Sequence, residues 1–488
     1  MIKNKRNLDH LSTPLCSALE NMKSKKCFSF HVPGHKNGRL IPKKSSELIG
    51  NKVFQNDKTE ISGLDNLHNP SGVIKDSQEL LTDAYSVSKS YFLVGGSTAG
   101  IEAMILESIS QGEKIIVGRD CHKSAISGII LSGAEPVFVD VFENTNKGFL
   151  NPVSFVEIKK TIDQNIDAKA ILLTSPTYFG LTSDIEKISA YAKKLAIKVL
   201  VDEAHGAHFN FSRFLPKSAT KTGADIVVQS AHKTLPALTG GSFLHVVNDN
   251  SVNISRLEQV LQMVQTSSPS YPIMASLDAC RKFMAFNGDK LLKKTIRLSR
   301  WLRYEINKID GLKTYRKKEI ISPEVFDVDE TKVFIDVSDT GLTGFQAQDL
   351  LAESGIYVEL ATFSKILLVL SVASNLSDAK FLIKTLKKIS EMNIFETGKQ
   401  DQNFPTIPRK PEKSMNPRNA FFSKRKVINL NDAVGMTSAD TITVYPPGIP
   451  IVIPGEIFSG EIVGYINTTI EAGGTTTGIR NHEISVVE

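Results

Sequence analysis

Residues 225–247, DIVVQSAHKTLPALTGGSFLHVV, set two apolar runs on either side of a polar connector. Each run is short and rich in β-branched or aromatic residues at consecutive positions. That is the pattern of a strand buried on both faces. The connector carries a His-Lys pair, His232-Lys233, in a segment poor in other charge. A surface lysine needs no such setting. A lysine at the end of a buried strand either snorkels to the surface or projects into a cleft, where burial or neighbouring cations can make it a nucleophile.

The same texture extends outward from about Leu93 to Val247. FLVGG reads as a strand, with Ser97-Thr98 capping a helix that carries Ile101, Met104 and Ile105 and stops at Gly112. KIIVG and PVFVD are strands around the helix SAISGIILSG. AILLTS precedes a helix opened by Ser183-Asp184, and KVLVDEA, DIVVQS and SFLHVV complete the run. Apolar strands alternating with helices predict an α/β fold with a mostly parallel sheet covered on both faces. In such sheets ligands bind beyond the carboxyl ends of the strands.

The chain has 488 residues, too many for one core, so two or three domains are expected. After Ala285 the texture changes to a smaller α+β pattern, with strand-like KVFIDVS and ILLVLSV and a helix near AKFLIKTLKKISEM. The expected organisation is an N-terminal segment 1–70, a large domain 71–285, a small α+β domain 286–395, a linker 396–417 and a terminal module 418–488. Hydrophobic residues at 41% and charged residues at 23% match soluble globular enzymes. No apolar run reaches the roughly 20 residues that span a bilayer, and the basic amino terminus has no apolar signal core. A cytoplasmic protein without a membrane partner is expected. The net charge of +6 sits largely in KNKR, KSKK and RKPEKSMNPRNAFFSKRK, with no nucleic-acid recognition motif, so these read as solvated basic pieces. Cys16, Cys27, Cys121 and Cys280 have no CxxC or CxxH spacing, so neither disulfides nor zinc is indicated.

Four strand ends carry polar groups. VGGSTAG (94–100) offers glycines for close approach, then the hydroxyls of Ser97 and Thr98 at a helix start. This serves either as a helix cap or as a phosphate site. RDCHKS places His122 after a strand, where it can stack on a planar ring, act as an acid, or do neither. In VLVDEAHGAH, Asp202 closes a buried strand and needs a cation, a metal or a protonated ring nitrogen. Glu203, His205 and His208 make a metal conceivable, but strand alternation separates Asp202 from Glu203, and no further ligand cluster is near, so no metal is expected. Ser230, His232 and Lys233 complete the set. A phosphate cradle at Gly96-Ser97-Thr98 and Ser230/His232, a carboxylate for a pyridinium nitrogen, a ring-stacking histidine and an imine-forming lysine together fit pyridoxal 5'-phosphate.

The chain also resembles the pyridoxal-phosphate-dependent Orn/Lys/Arg decarboxylases of the aspartate-aminotransferase fold (fold type I), particularly the shorter Gram-positive-type arginine or lysine decarboxylases. The resemblance is carried by FHVPGHKNG (30–38), GLDNLHNPSGVI (63–74), GSTAG (96–100), CHKS (121–124), TSPTYFG (174–180), DEAHGAH (202–208), SAHKTLPALT (230–239), TSSPSYPIMASLD (266–278) and YPPGIPIVIPGE (445–456). It implies that Lys233 is the Schiff-base lysine, and that Gly96, Ser97, Thr98, Ser230 and His232 bind the phosphate. It further implies that Asp202 pairs with the pyridinium nitrogen, His122 stacks on the ring and Ala204 packs on its other face. His205 or Lys233 is the expected proton donor. TSPTY stands where NPTY is common, with Thr177 or Ser175 as substitute contacts. Asp65 and Glu456 are the expected carboxylates for a basic substrate tail, and TSSPS implies a homodimer or dimer-based oligomer. Gly95 and Gly240 depart from the commoner Asn and Gln.

The implied activity is decarboxylation of a basic amino acid, arginine before lysine or ornithine, feeding polyamine synthesis, with 418–488 as the family's C-terminal domain. The same core residues would serve an aminotransferase or lyase, which needs an arginine such as Arg281, Arg297 or Arg303 for the α-carboxylate. They would equally serve a catalytically weak paralogue that binds the cofactor.

Overall fold

The computed structural model describes residues 8–24, 28–144, 147–392, 405–445 and 448–488. KNKR, part of KSKK, residues 396–404 of the expected linker and Pro446-Pro447 lie outside these. The chain forms two compact units, each assembled from separate stretches. One comprises Met1–Glu107, Leu200–Arg213 and Lys217–Leu291, the other Ser108–Val199, Phe214–Pro216 and Leu292–Glu488.

Seven strands matter to the site: β1 (Lys89–Leu93), β2 (Lys114–Gly118), β3 (Glu135–Val139), β4 (Ala170–Thr174), β5 (Lys198–Asp202), β6 (Ile226–Gln229) and β7 (Ser242–Val246). In the first unit the order is β1–β7–β6–β5. Strands β5 and β6 run parallel, with Asp202 opposite Val228. Strand β7 is antiparallel to both β6 and β1. The connector from Gln229 to Ser242 forms a single helical turn, Ala231–Thr234, in place of a covering crossover helix, and the chain turns back on itself. In the second unit β2 lies between β4 and β3, parallel to both. Parallel pairings predominate, as the apolar runs predict.

The helix Gly96–Ser108 buries Ile101, Met104 and Ile105 almost completely. At Gly100 an added Cβ would stand 2.6 Å from Leu93 Cδ1 and 2.9 Å from Val228 Cγ1, so only glycine lets this helix lie so close to β1 and β6. The helix starts at Gly96, one residue before the expected Ser-Thr cap.

The predicted division after Ala285 falls inside one continuous helix, Tyr271–Ile306. Near the start of this helix Asp278 and Arg281 form an ion pair at 2.9 Å, both fully buried. Arg281 also donates to the carbonyls of His10 and Ser12, and Asp278 accepts from Leu15 N, which ties down the amino-terminal segment.

In the second unit, antiparallel strands Lys332–Asp336, Leu360–Ala361 and Lys365–Val369 pack with helices Gly344–Glu353 and Leu376–Glu391 around Val333, Ile335, Leu351 and Ile366. The terminal residues contribute a second core, in which Ile442, Val444, Val452, Phe458 and Ile466 are buried together with Leu150. Among the described residues no helix is long and apolar enough to cross a membrane.

Candidate active site

The polar residues of the first unit converge because β5 and β6 are parallel neighbours that end together. Beyond Gln229 the chain makes one helical turn, Ala231–Thr234, so Lys233 rides on that turn and not on the strand itself. Lys233 is exposed, and its Nζ lies 3.1 Å from Nε2 of the buried His205. Backbone bonds from His232 N to Gly241 O (3.2 Å) and Lys233 N to Ser230 O (3.3 Å) fix the turn, and His232 Nδ1 meets Gly241 O at 3.0 Å.

The phosphate end is built from two elements. Gly96 adopts φ +75°, a left-handed conformation that glycine takes without strain, and its N–H donates to Gly240 O at 2.8 Å. Ser230 Oγ donates to Ser97 Oγ at 3.0 Å, which brings the two hydroxyls together at the amino end of the helix Gly96–Ser108. Thr98 is exposed beside them. Hydroxyls and the helix's first N–H groups at one spot suit a phosphate.

Asp202 is 5% exposed and accepts one hydrogen bond, from Ala204 N at 3.0 Å. Burial pushes its carboxyl above the usual range, while the Lys233 charge and the Ala204 N–H pull the other way. Such a carboxylate is held in place yet under-compensated, which fits a protonated ring nitrogen as partner. Ala204 is also buried. The donor set of this unit therefore fits pyridoxal phosphate at its phosphate, its ring nitrogen and its aldehyde carbon.

His122 and Thr177 belong to the second unit. His122 caps the helix Lys123–Ser132, its Nδ1 accepting from Ser124 N at 3.3 Å and meeting Ser124 Oγ at 2.8 Å. Thr177 is buried in a turn where its Oγ1 accepts from Leu181 N (3.3 Å), and Ser175 Oγ accepts from Ser183 N (3.3 Å).

The two carboxylates expected to meet the substrate tail are engaged elsewhere. Asp65, itself at φ +67°, accepts from the N–H groups of Asn66, Ser71, Gly72, Ile74 and Lys75, capping the helix Val73–Tyr85. Burial opposes ionisation, but these N–H groups outweigh it and hold the carboxyl below its ordinary range. Glu456 is 3% exposed and pairs with Arg119 Nη2 at 2.9 Å, also accepting from Ile453 N at 2.9 Å. The Arg119 guanidinium further donates to Ile451 O and lies over the Phe138 ring. Both carboxylates thus have partners within the chain itself: backbone N–H groups for Asp65, and Arg119 with Ile453 N for Glu456.

Sequence reasoning overlooked Glu203 except as a metal ligand. Its carboxylate is 1% exposed and accepts from Ser218 Oγ, Ala219 N and Gln229 Nε2. Among the described residues no group of three or more His, Cys, Asp and Glu is placed to hold a metal.

Comparison with known proteins points to one family. The family model for the Orn/Lys/Arg decarboxylase major domain matches residues 13–378, and that for the Orn/Lys/Arg decarboxylase C-terminal domain matches 399–484. An arginine decarboxylase of Bacillus anthracis is 37% identical over 467 residues, 96% of this chain and 94% of that protein. An arginine decarboxylase of Bacillus subtilis is 36% identical over 462 residues, 94% of each chain. The crystal structure of a Francisella novicida lysine decarboxylase superposes with a TM-score of 0.86 at 21% identity, over 98% of this chain and 81% of that one, which shows a shared fold.

Proposed function

Because the chain belongs to the Orn/Lys/Arg decarboxylase family, we propose that it releases CO₂ from a basic amino acid, arginine before lysine or ornithine, using pyridoxal phosphate held by Lys233. The observation that carries this reading is the grouping of Lys233, His205, Asp202 and the Ser97–Ser230 pair at adjoining strand ends. When bound, the cofactor supplies a ring that takes up the electron pair left behind by CO₂. Asp202 keeps a proton on the ring nitrogen, because an adjacent negative charge favours the charged form. Ser97, Thr98, Ser230 and the first N–H groups of the helix Gly96–Ser108 bind the phosphate, with Gly96 giving close approach. Lys233 Nζ and His205 Nε2, 3.1 Å apart, form a proton site from which the substrate's Cα can be protonated.

His122 as ring-stacking group and Thr177 as a further cofactor contact rest on the CHKS and TSPTYFG motifs. A homodimer rests on TSSPS, whose Thr266, Ser267 and Ser268 are exposed. The amine product suits polyamine synthesis in the cytoplasm.

Of the three arginines that could hold a substrate α-carboxylate, Arg297 is exposed on the helix Tyr271–Ile306 and the other two are engaged. Arg281 is fully buried in its pair with Asp278, and the buried Arg303 donates to the carbonyls of Tyr315, Glu330 and Lys332, so neither is available for a substrate carboxylate.

Incubation with arginine, lysine and ornithine separately, following CO₂ and amine, tests the proposal. CO₂ with one equivalent of amine from one of them is the expected outcome. Keto-acid formation would establish transamination. Inertness with cofactor bound would identify a non-catalytic paralogue.

A further inference from the structure

Two carboxylates stand side by side at the end of β5, and the proposed chemistry uses one. Strand alternation turns Glu203 away from Asp202. Its Oε1 accepts from Ala219 N at 2.7 Å, and its Oε2 from Ser218 Oγ at 2.7 Å and Gln229 Nε2 at 2.6 Å. Its backbone is equally engaged, with N donating to Val228 O and O accepting from Gly206 N, each at 2.9 Å. The turn closes tightly over the side chain, since a Cβ on Gly206 would lie 2.6 Å from Glu203 Cγ. An apolar pair would fill this space without the desolvation penalty of a buried carboxylate, so packing alone does not account for it.

Position in the chain gives the group its meaning. Gln229 is the last residue of β6, directly before Ser230 and four residues before Lys233. Glu203 directly follows Asp202 and lies two residues before His205. The Glu203–Gln229 bond therefore ties the two strand ends that carry the reacting groups, while Ser218 and Ala219 anchor the same carboxylate from a third segment.

We propose that Glu203 is a positioning residue: through Gln229 it sets the separation between the Asp202–His205 turn and the Ser230–Lys233 turn, and so keeps Lys233 Nζ within hydrogen-bond reach of His205 Nε2. The inference rests on Lys233 being the cofactor-binding lysine. Gln229→Met, nearly isosteric, removes the tie but leaves Ser218 and Ala219 on Glu203. Glu203→Gln preserves the tie, because the Gln229 amide can turn over and accept from the new amide.

The test titrates apoprotein with pyridoxal phosphate, then follows the pH midpoint of the lysine-bound cofactor's absorbance, with thermal melting as a check on folding. Gln229→Met should raise the dissociation constant about tenfold, the scale of one hydrogen bond to a charged group, and displace the pH midpoint. Glu203→Gln should stay within about twofold of wild type. Wild-type affinity and midpoint in Gln229→Met would overturn the proposal, whether or not its melting temperature falls. A folded Glu203→Gln as impaired as Gln229→Met would overturn it too. If wild-type protein itself forms no lysine-bound species, it is the reading of Lys233 that fails, so the two failures are distinguishable.

Discussion

Asp202 in the first unit and Glu456 in the second are buried almost equally, 5% and 3% exposed, yet their surroundings differ in kind. Glu456 meets a guanidinium and a backbone N–H, and that guanidinium has a carbonyl and an aromatic face of its own. Asp202 receives one backbone N–H. Burial raises the carboxyl of both, but only at Glu456 is a directly bonded cation present to offset it. A carboxylate whose partners are all in place serves the architecture. One that is rigidly held and still short of a cation is prepared for something that arrives.

The contrast breaks most sharply on substitution. Asp202→Asn should lower kcat on the order of 10²–10³-fold, the scale of removing a preorganised electrostatic partner. The same apoprotein should melt no lower than wild type, since the change removes an under-compensated buried charge. A marked fall in its melting temperature would place Asp202 with Glu456 as a structural group.

Glu456→Ala should do the reverse. It strands Arg119 without its carboxylate and should destabilise the protein by roughly 3–5 kcal/mol in chemical denaturation, with activity per folded molecule unchanged. Arg119→Met combined with Glu456→Leu should recover most of that loss, because the desolvation cost of both charges disappears together.

A third effect concerns Glu203, whose carboxyl burial pushes from 4.5 up to about 7 against its hydrogen bonds and the Lys221 charge. The folded state then holds a proton that the unfolded chain releases, so stability is greatest below pH 4.5 for this group and declines as pH rises toward 7. Glu203→Gln should flatten that decline by a few kcal/mol when denaturation midpoints are compared across this window. An unchanged pH slope would show that Glu203 is not the titrating group.

The smallest change is expected at Asp65. Asp65→Ala should cost about 1–2 kcal/mol through loss of the cap on the helix Val73–Tyr85, with KM for the basic substrate unaltered. A large rise in KM would return Asp65 to the substrate site.

Much of this architecture is legible in the residues. KVLVD, IVVQ and SFLHV become strands because their β-branched and aromatic runs suit burial on both faces. Asp202 and Lys233 stand out because charge is rare in such runs. The roles of Asp65 and Glu456 were not legible, since a motif does not show that five N–H groups close on one carboxylate or that Arg119, 337 positions away, pairs with the other. Alternation separates Glu203 from Asp202 in the sequence already, but its partners Ser218, Ala219 and Gln229 come from distant positions that no local pattern reveals. The change of texture near Ala285 lies within the helix Tyr271–Ile306, a few residues before the two compact units divide between Leu291 and Leu292.

The central claim is that Lys233 carries the cofactor. Borohydride reduction of protein loaded with pyridoxal phosphate, followed by peptide mass mapping, tests it most directly. The account predicts one stable pyridoxyl adduct, on Lys233, and none at the active site of Lys233→Ala. An adduct of equal yield on another lysine, or undiminished labelling of the alanine variant, would contradict it.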